Sequence, residues 1–302
     1  MAQLDGCLRF YRAPFVGLLA FLAVLLANPV MHSIRVAARQ LLAPAYDGLF
    51  NLALGVLGLA ILLIGLRRGE DEVRGTLTGF AAGLLIWIGW ASYLFSYNDV
   101  ALGRPMMAIT PEQSRPLGVL FIQGSFGICV STLLFFILNR DTKCNAFRWL
   151  HRKLHIKLGR AESGQQRNFC RITFIETIYV TWFCYGFSLF LGDQRFLGYH
   201  HPATYAIGIF LAVWSLYLVW KLTRFTRVMA ALRYAIPTKA LFWIAFGELG
   251  PRYHLYHEFW LHPLSNIKPM LVVLASFLVL IGVTAFMPQR KQKPARAPSA
   301  DT

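Results

Sequence analysis

Long apolar runs divide this chain, separated by short charged connections, and that alternation leaves few folds open to it. A helix needs about 20 mainly apolar residues to cross a bilayer, and within the hydrocarbon layer it must satisfy its own backbone hydrogen bonds. Seven runs meet that length clearly: Pro14–Val30, Asp47–Leu66, Thr76–Tyr97, Leu117–Leu138, Ile172–Leu191, Ala203–Leu222 and Pro269–Met287. An eighth stretch, Val228–Leu249, holds Arg233, Pro237 and Lys239 ahead of the apolar run Ala240–Gly247, which predicts an irregular crossing broken near Pro237. The expected fold is therefore all-α, a polytopic transmembrane helical bundle of about eight spans. It forms one domain over residues 1–288, and residues 289–302 form a disordered basic tail.

Charge predicts the orientation, because basic loops beside spans resist translocation. With eight crossings and both termini cytoplasmic, 23 of the 30 Lys and Arg fall inside and 7 outside. The pattern predicts a multi-pass protein of the inner (cytoplasmic) membrane, its basic segments resting on an anionic inner leaflet. The formal net charge of +16 then calls for no nucleic-acid partner, since it sits almost wholly in loops flanking spans. Phe147, Leu150, Leu154 and Leu158 share one helical stripe in a basic segment, as in a helix lying on such a leaflet. The five cysteines show no CxxC spacing and none belongs to an exported loop, so no disulfide framework is expected. No cleavage motif follows Arg9, Arg12 and the first run, which reads as a retained span.

The same threading places six of the eight histidines outside. The loop Gly250–Lys268 reads GPRYHLYHEFWLHPLSNIK and contains His254, His257, Glu258 and His262. On a helix these four would share one stripe, since i+3 and i+4 neighbours lie on one face. Imidazole with carboxylate suits Fe, Cu, Zn or Mn. His200 and His201 open the sixth span on the same side, and His32 closes the first. The candidate metal ligands are thus His254, His257, His262, His200, His201 and Glu258. Asp99, Glu112, Met106 and Met107 of another outer loop are further donors. Against a metal, amphipathic rings collect at membrane interfaces whatever the chemistry, and the zinc signature HExxH is absent. A haem has no histidine at mid-span to hold it, and covalent attachment through CxxCH is excluded.

Ionisable groups inside spans are costly and mark function. Glu176, beside Thr173, Thr177 and Tyr179, lies one turn into the fifth span with Arg171 near it. Asp47 and Asn51 open the second span, Glu248 ends the irregular one, and Gln123 with Ser125 forms a polar pair in the fourth. All lie near span ends, whereas a proton-coupled transporter is expected to carry deeper charges. Gly79, Gly83, Gly55 and Gly58 predict close helix approach. No Walker A, GxSG or lipid-phosphatase pattern is present. The expected function is a transporter, membrane-complex subunit or assembly factor whose outer loops recognise a membrane-protein partner or a second copy. The alternative is a metal-dependent membrane enzyme or metal-handling protein with its histidine site at the outer face. A third reading is a sensory module whose outer histidines respond to pH or metal.

Overall fold

A computed structural model describes residues 12–68, 71–95, 97, 106–110, 113–138, 145–155 and 167–286. The expected tail 289–302 and the candidate donors Asp99 and Glu112 lie outside them. The helices are α1 (Phe15–Leu41), α2 (Pro44–Arg67), α3 (Glu72–Ile86, continued by a π-helical turn Trp87–Ser92), α4 (Leu117–Gly124), α5 (Phe126–Leu138) and α6 (Asn145–Lys153). They continue with α7 (Phe169–Leu191), α8 (Pro202–Leu222), α9 (Val228–Phe242, continued by a π-helical turn Trp243–Glu248), α10 (Leu249–Arg252) and α11 (Ile267–Phe286). The chain is a multi-pass, α-helical membrane protein. Among the described residues, seven helical stretches are long and apolar enough to cross a bilayer. The described connection before α4 also carries a short antiparallel hairpin, β1 (Met106–Thr110) with β2 (Gln113–Pro116).

Two expected spans change character. Val228–Arg252 is one helical stretch of 25 residues and is not broken at Pro237. The proline leaves the Arg233 carbonyl without its helical N–H donor, yet the helix runs on, and the next residue, Thr238, donates its Oγ1 hydroxyl to the Tyr234 carbonyl at 2.8 Å. The irregularity lies further on, in the π-helical turn, where the Trp243 indole folds back over Gly247. A Cβ on Gly247 would sit 2.5 Å from that ring. The fourth expected span is instead the short one, with an apolar stretch of 17 residues, Gly118–Leu134. Ser125 divides α4 from α5, but Ser125 N–H to Phe121 O and Cys129 N–H to Ser125 O carry the ladder across. The first helix also runs on to Leu41, so His32 lies within α1 and does not end it.

Helix α9 is the hub. It packs on α1, α7 and α8 and also touches α3. Fifty-six per cent of its apolar window is buried in the protein, against 11% for α11 at the periphery. The core between them is built from small residues and aliphatics: Val16, Ala20, Val24 and Ala27 of α1 face Met229, Leu232, Ala235 and Ile236 of α9. On the outer helices large apolar side chains are exposed, among them Leu49, Leu63, Ile209, Val213, Val272 and Val279. Such a surface suits lipid, where it costs nothing. Caps fix the starts: Asp71 accepts from the Val73 and Arg74 amides, and Asn168 accepts from Arg171 while donating to the Leu66 carbonyl.

The expected glycine contacts form. A Cβ on Gly55 would strike the Trp90 indole, and one on Gly83 would lie 2.8 Å from Thr177. At Gly79 it would sit 2.4 Å from the Cys170 carbonyl oxygen, a backbone atom of α7 that cannot rotate away. Gly79→Ala gains about 1 kcal/mol of helix propensity but overpacks the α3–α7 contact by about 1–3 kcal/mol. We expect Gly79→Ala to lower the Tm in detergent by several degrees. Gly282→Ala, with no atom within 4 Å of the added methyl, should not lower it.

Candidate functional site

The histidine loop does not form the expected helix. After α10 the chain turns, His254 adopts a left-handed conformation (φ 58°), and Phe259–Leu261 is a single 3₁₀ turn. The stripe of four ligands is therefore broken. His257, Glu258 and His262 do line one open groove of about 360 Å³, together with Phe259, Leu261 and Asn266. Glu258 is already engaged there, its Oε2 accepting from Arg252 Nη1 at 3.0 Å. His254, His257 and His262 are all exposed. His201 caps α8, its Nδ1 accepting from the Ala203 amide at 3.1 Å, and His200 Nδ1 lies 3.4 Å from the Tyr205 hydroxyl. Among the described residues no three of His, Cys, Asp and Glu come together as a metal site.

Tyrosines, not histidines, join the two loops at this end. Tyr253 stacks on Tyr205 with centroids 4.6 Å apart and donates to the Tyr199 carbonyl at 2.9 Å. Tyr256 donates to the Phe246 carbonyl at 2.5 Å. Burial first, then the charges of Glu258 and Glu248, push its phenol up to about 12, so it stays a donor. Trp260 is buried against Trp243, and its carbonyl accepts from Ser33 of α1 at 3.1 Å. The loop is thus folded down over the end of the α9 hub.

That hub carries ionisable groups at three levels. At its start, Glu72 of α3 accepts from Arg227 and, at 2.7 Å, from Arg233. Arg233 also donates to Thr76 at 2.6 Å and lies 4.8 Å from the Phe169 ring centroid. At the far end Trp243 Nε1 donates to Glu248 at 3.1 Å, below the Arg252–Glu258 pair. Between them is Lys239, the twelfth residue of the 25 from Val228 to Arg252. It is 5% exposed and donates to Asn28 Oδ1 of α1 at 2.5 Å. Cys184 of α7 stands within electrostatic range. No carboxylate pairs with Lys239 among the described residues.

Sequence reasoning missed this group. The sequence puts Lys239 in the eighth stretch but, with a break expected near Pro237, ahead of the apolar run and not at mid-span. The available signal was length: read through the proline, the 25 residues place Lys239 at the middle. The other intramembrane candidates fall closer to expectation. Asn51 donates to Asp47 Oδ1 at 3.0 Å, and Trp182 donates to Ser125 at 2.9 Å. Gln123 reaches across to Asp193 at 2.6 Å, a partner not foreseen. No family model, curated protein or solved structure matches this chain.

Asp193 is fully buried just beyond α7, and Arg195 pairs with it at 2.6 Å. Burial pushes its carboxyl up, but hydrogen bonds from Arg195 and Gln123, with the Arg195 charge, outweigh this and hold it well below the usual carboxylate range. A depressed native value adds stability that is present above the unfolded value, about 3.9, and is lost as pH falls through the native one. Asp193→Asn is expected to cost about 1–3 kcal/mol at neutral pH. In melts across pH, the wild-type advantage over Asp193→Asn should hold steady from pH 8 to 5 and shrink below about pH 4.

Proposed function

We propose that this membrane protein is a transporter, with the ionisable column along α9 as its path and Lys239 as the group its cargo passes. The observation that carries the reading is a lysine buried at the middle of the most buried span with an amide, not a carboxylate, as its partner. Burying an ammonium in a low-dielectric interior costs several kcal/mol unless it is paired, and intramembrane charges of this kind mark ion and substrate pathways. A purely structural lysine would be expected to hold a counter-charge. The π-helical turn four residues beyond it supports the same reading, since such turns gather at functional sites. The ion cluster at Glu72 and the Trp243–Trp260 lid would close the two ends of the column.

In this proposal α4 with α5 serves as the eighth crossing and both termini face the cytoplasm. Residues 145–155 and 223–227 then rest on an anionic inner leaflet. The exposed faces of α2, α8 and α11 meet lipid, another membrane protein or a second copy, and the outer loops recognise that partner.

The test is charge movement in proteoliposomes on a solid-supported membrane, challenged with concentration jumps of chloride, phosphate, lactate, potassium and ammonium salts. Wild-type protein is expected to give a saturable displacement current. Lys239→Met, which removes a buried charge at little cost in fold, should lower it at least tenfold with its Tm kept. No current from wild type, or equal currents from both, would overturn the reading.

A further inference from the structure

The geometry points to a small monovalent anion as the cargo that meets Lys239, an inference that rests on α9 being a transport path. The site is rich in donors and poor in acceptors. A lysine ammonium offers three N–H donors and no acceptor, and an asparagine amide offers two donors and one carbonyl oxygen. That oxygen, Asn28 Oδ1, is spent on Lys239 at 2.5 Å. The neighbouring thiol of Cys184 is a weak acceptor. What the site lacks is a negative charge.

The rest of the column does not supply one at this depth. Glu72 is held by two arginines, Arg227 and Arg233, at the start of the hub. Six residues separate Arg233 from Lys239, roughly 9 Å along the helix, and nine separate Lys239 from Glu248, roughly 13 Å. Glu248 takes the Trp243 indole N–H and lies beside Arg252. Glu176 on α7 lies eight residues before Cys184, roughly 12 Å further along that helix. At its own level Lys239 therefore stands as a positive charge with spare donors. An anion would take those donors and supply the missing charge, and a cation would meet repulsion from the ammonium.

The test supplies the counter-charge internally. Asn28→Asp puts a carboxylate where Oδ1 now accepts from Lys239, so it forms an ion pair and competes with the anion. In the supported-membrane assay, with chloride, nitrate and lactate set against sodium, potassium and ammonium over impermeant counter-ions, wild type should respond to at least one anion. Asn28→Asp should raise the half-saturating anion concentration at least tenfold while keeping or raising Tm. Lys239→Arg should retain an anion response and Lys239→Gln should lose it. If Lys239 were only a structural tie, Asn28→Asp would strengthen the fold and leave the currents untouched, and that result overturns the inference. Currents that follow cations and ignore the anion overturn it while leaving the transporter reading in place. Silence with every solute, in well-folded protein, overturns both.

Discussion

Everything distinctive in this molecule depends on α9 passing through the bundle as one helix. A membrane offers the backbone no water, so a helix that broke at Pro237 would need to line an aqueous cavity or return to the surface it came from. At Pro237 the ladder loses one donor, the one to the Arg233 carbonyl, and the helix still runs on to Arg252. Small side chains on α1 then let the two helices close tightly, with Ala20, Val24 and Ala27 fully buried against Met229, Leu232 and Ala235. With the pair that close, Lys239 is buried and donates to Asn28 on the facing helix. The lysine's depth follows from the packing around it.

The two ends of the hub are built differently. At the start, charges meet charges: one carboxylate of α3 is shared by two guanidiniums, and Arg233 also lies over an aromatic ring of α7. Several helices are thereby tied at one point. At the far end the closure is mainly aromatic, with Trp243, Trp260 and Tyr256 folded over a π-helical turn and anchored to α1 through Ser33. An ionic clamp at one end and an aromatic closure at the other thus flank the level of Lys239, which is buried among apolar side chains of the same helix.

Much of the fold was legible because the solvent imposes it. Span lengths and glycine contacts follow from hydrocarbon thickness and from the need for close packing, and both are written in local sequence. Ser125 and Gln123 were recognisable as unusual, but their partners Trp182 and Asp193 are 57 and 70 residues away, and only tertiary structure joins them. The histidine loop misled for a physical reason. Spacing that makes a stripe on a helix makes none on a chain that turns at Pro251–His254, where aromatic packing outweighs helix propensity. Lys239 was hidden by the same kind of local rule, a proline taken as a stop in a setting where membranes tolerate it.

The most direct measurement is amine reactivity of the folded protein in mild detergent, read lysine by lysine by mass spectrometry after reductive methylation. Lys153, Lys221 and Lys268 are exposed and Lys239 is buried. The account predicts rapid modification of the first three and protection of Lys239 until the protein is denatured. Modification of Lys239 at the rate of Lys221 would place it in water, and its burial at the middle of a continuous central helix would be contradicted.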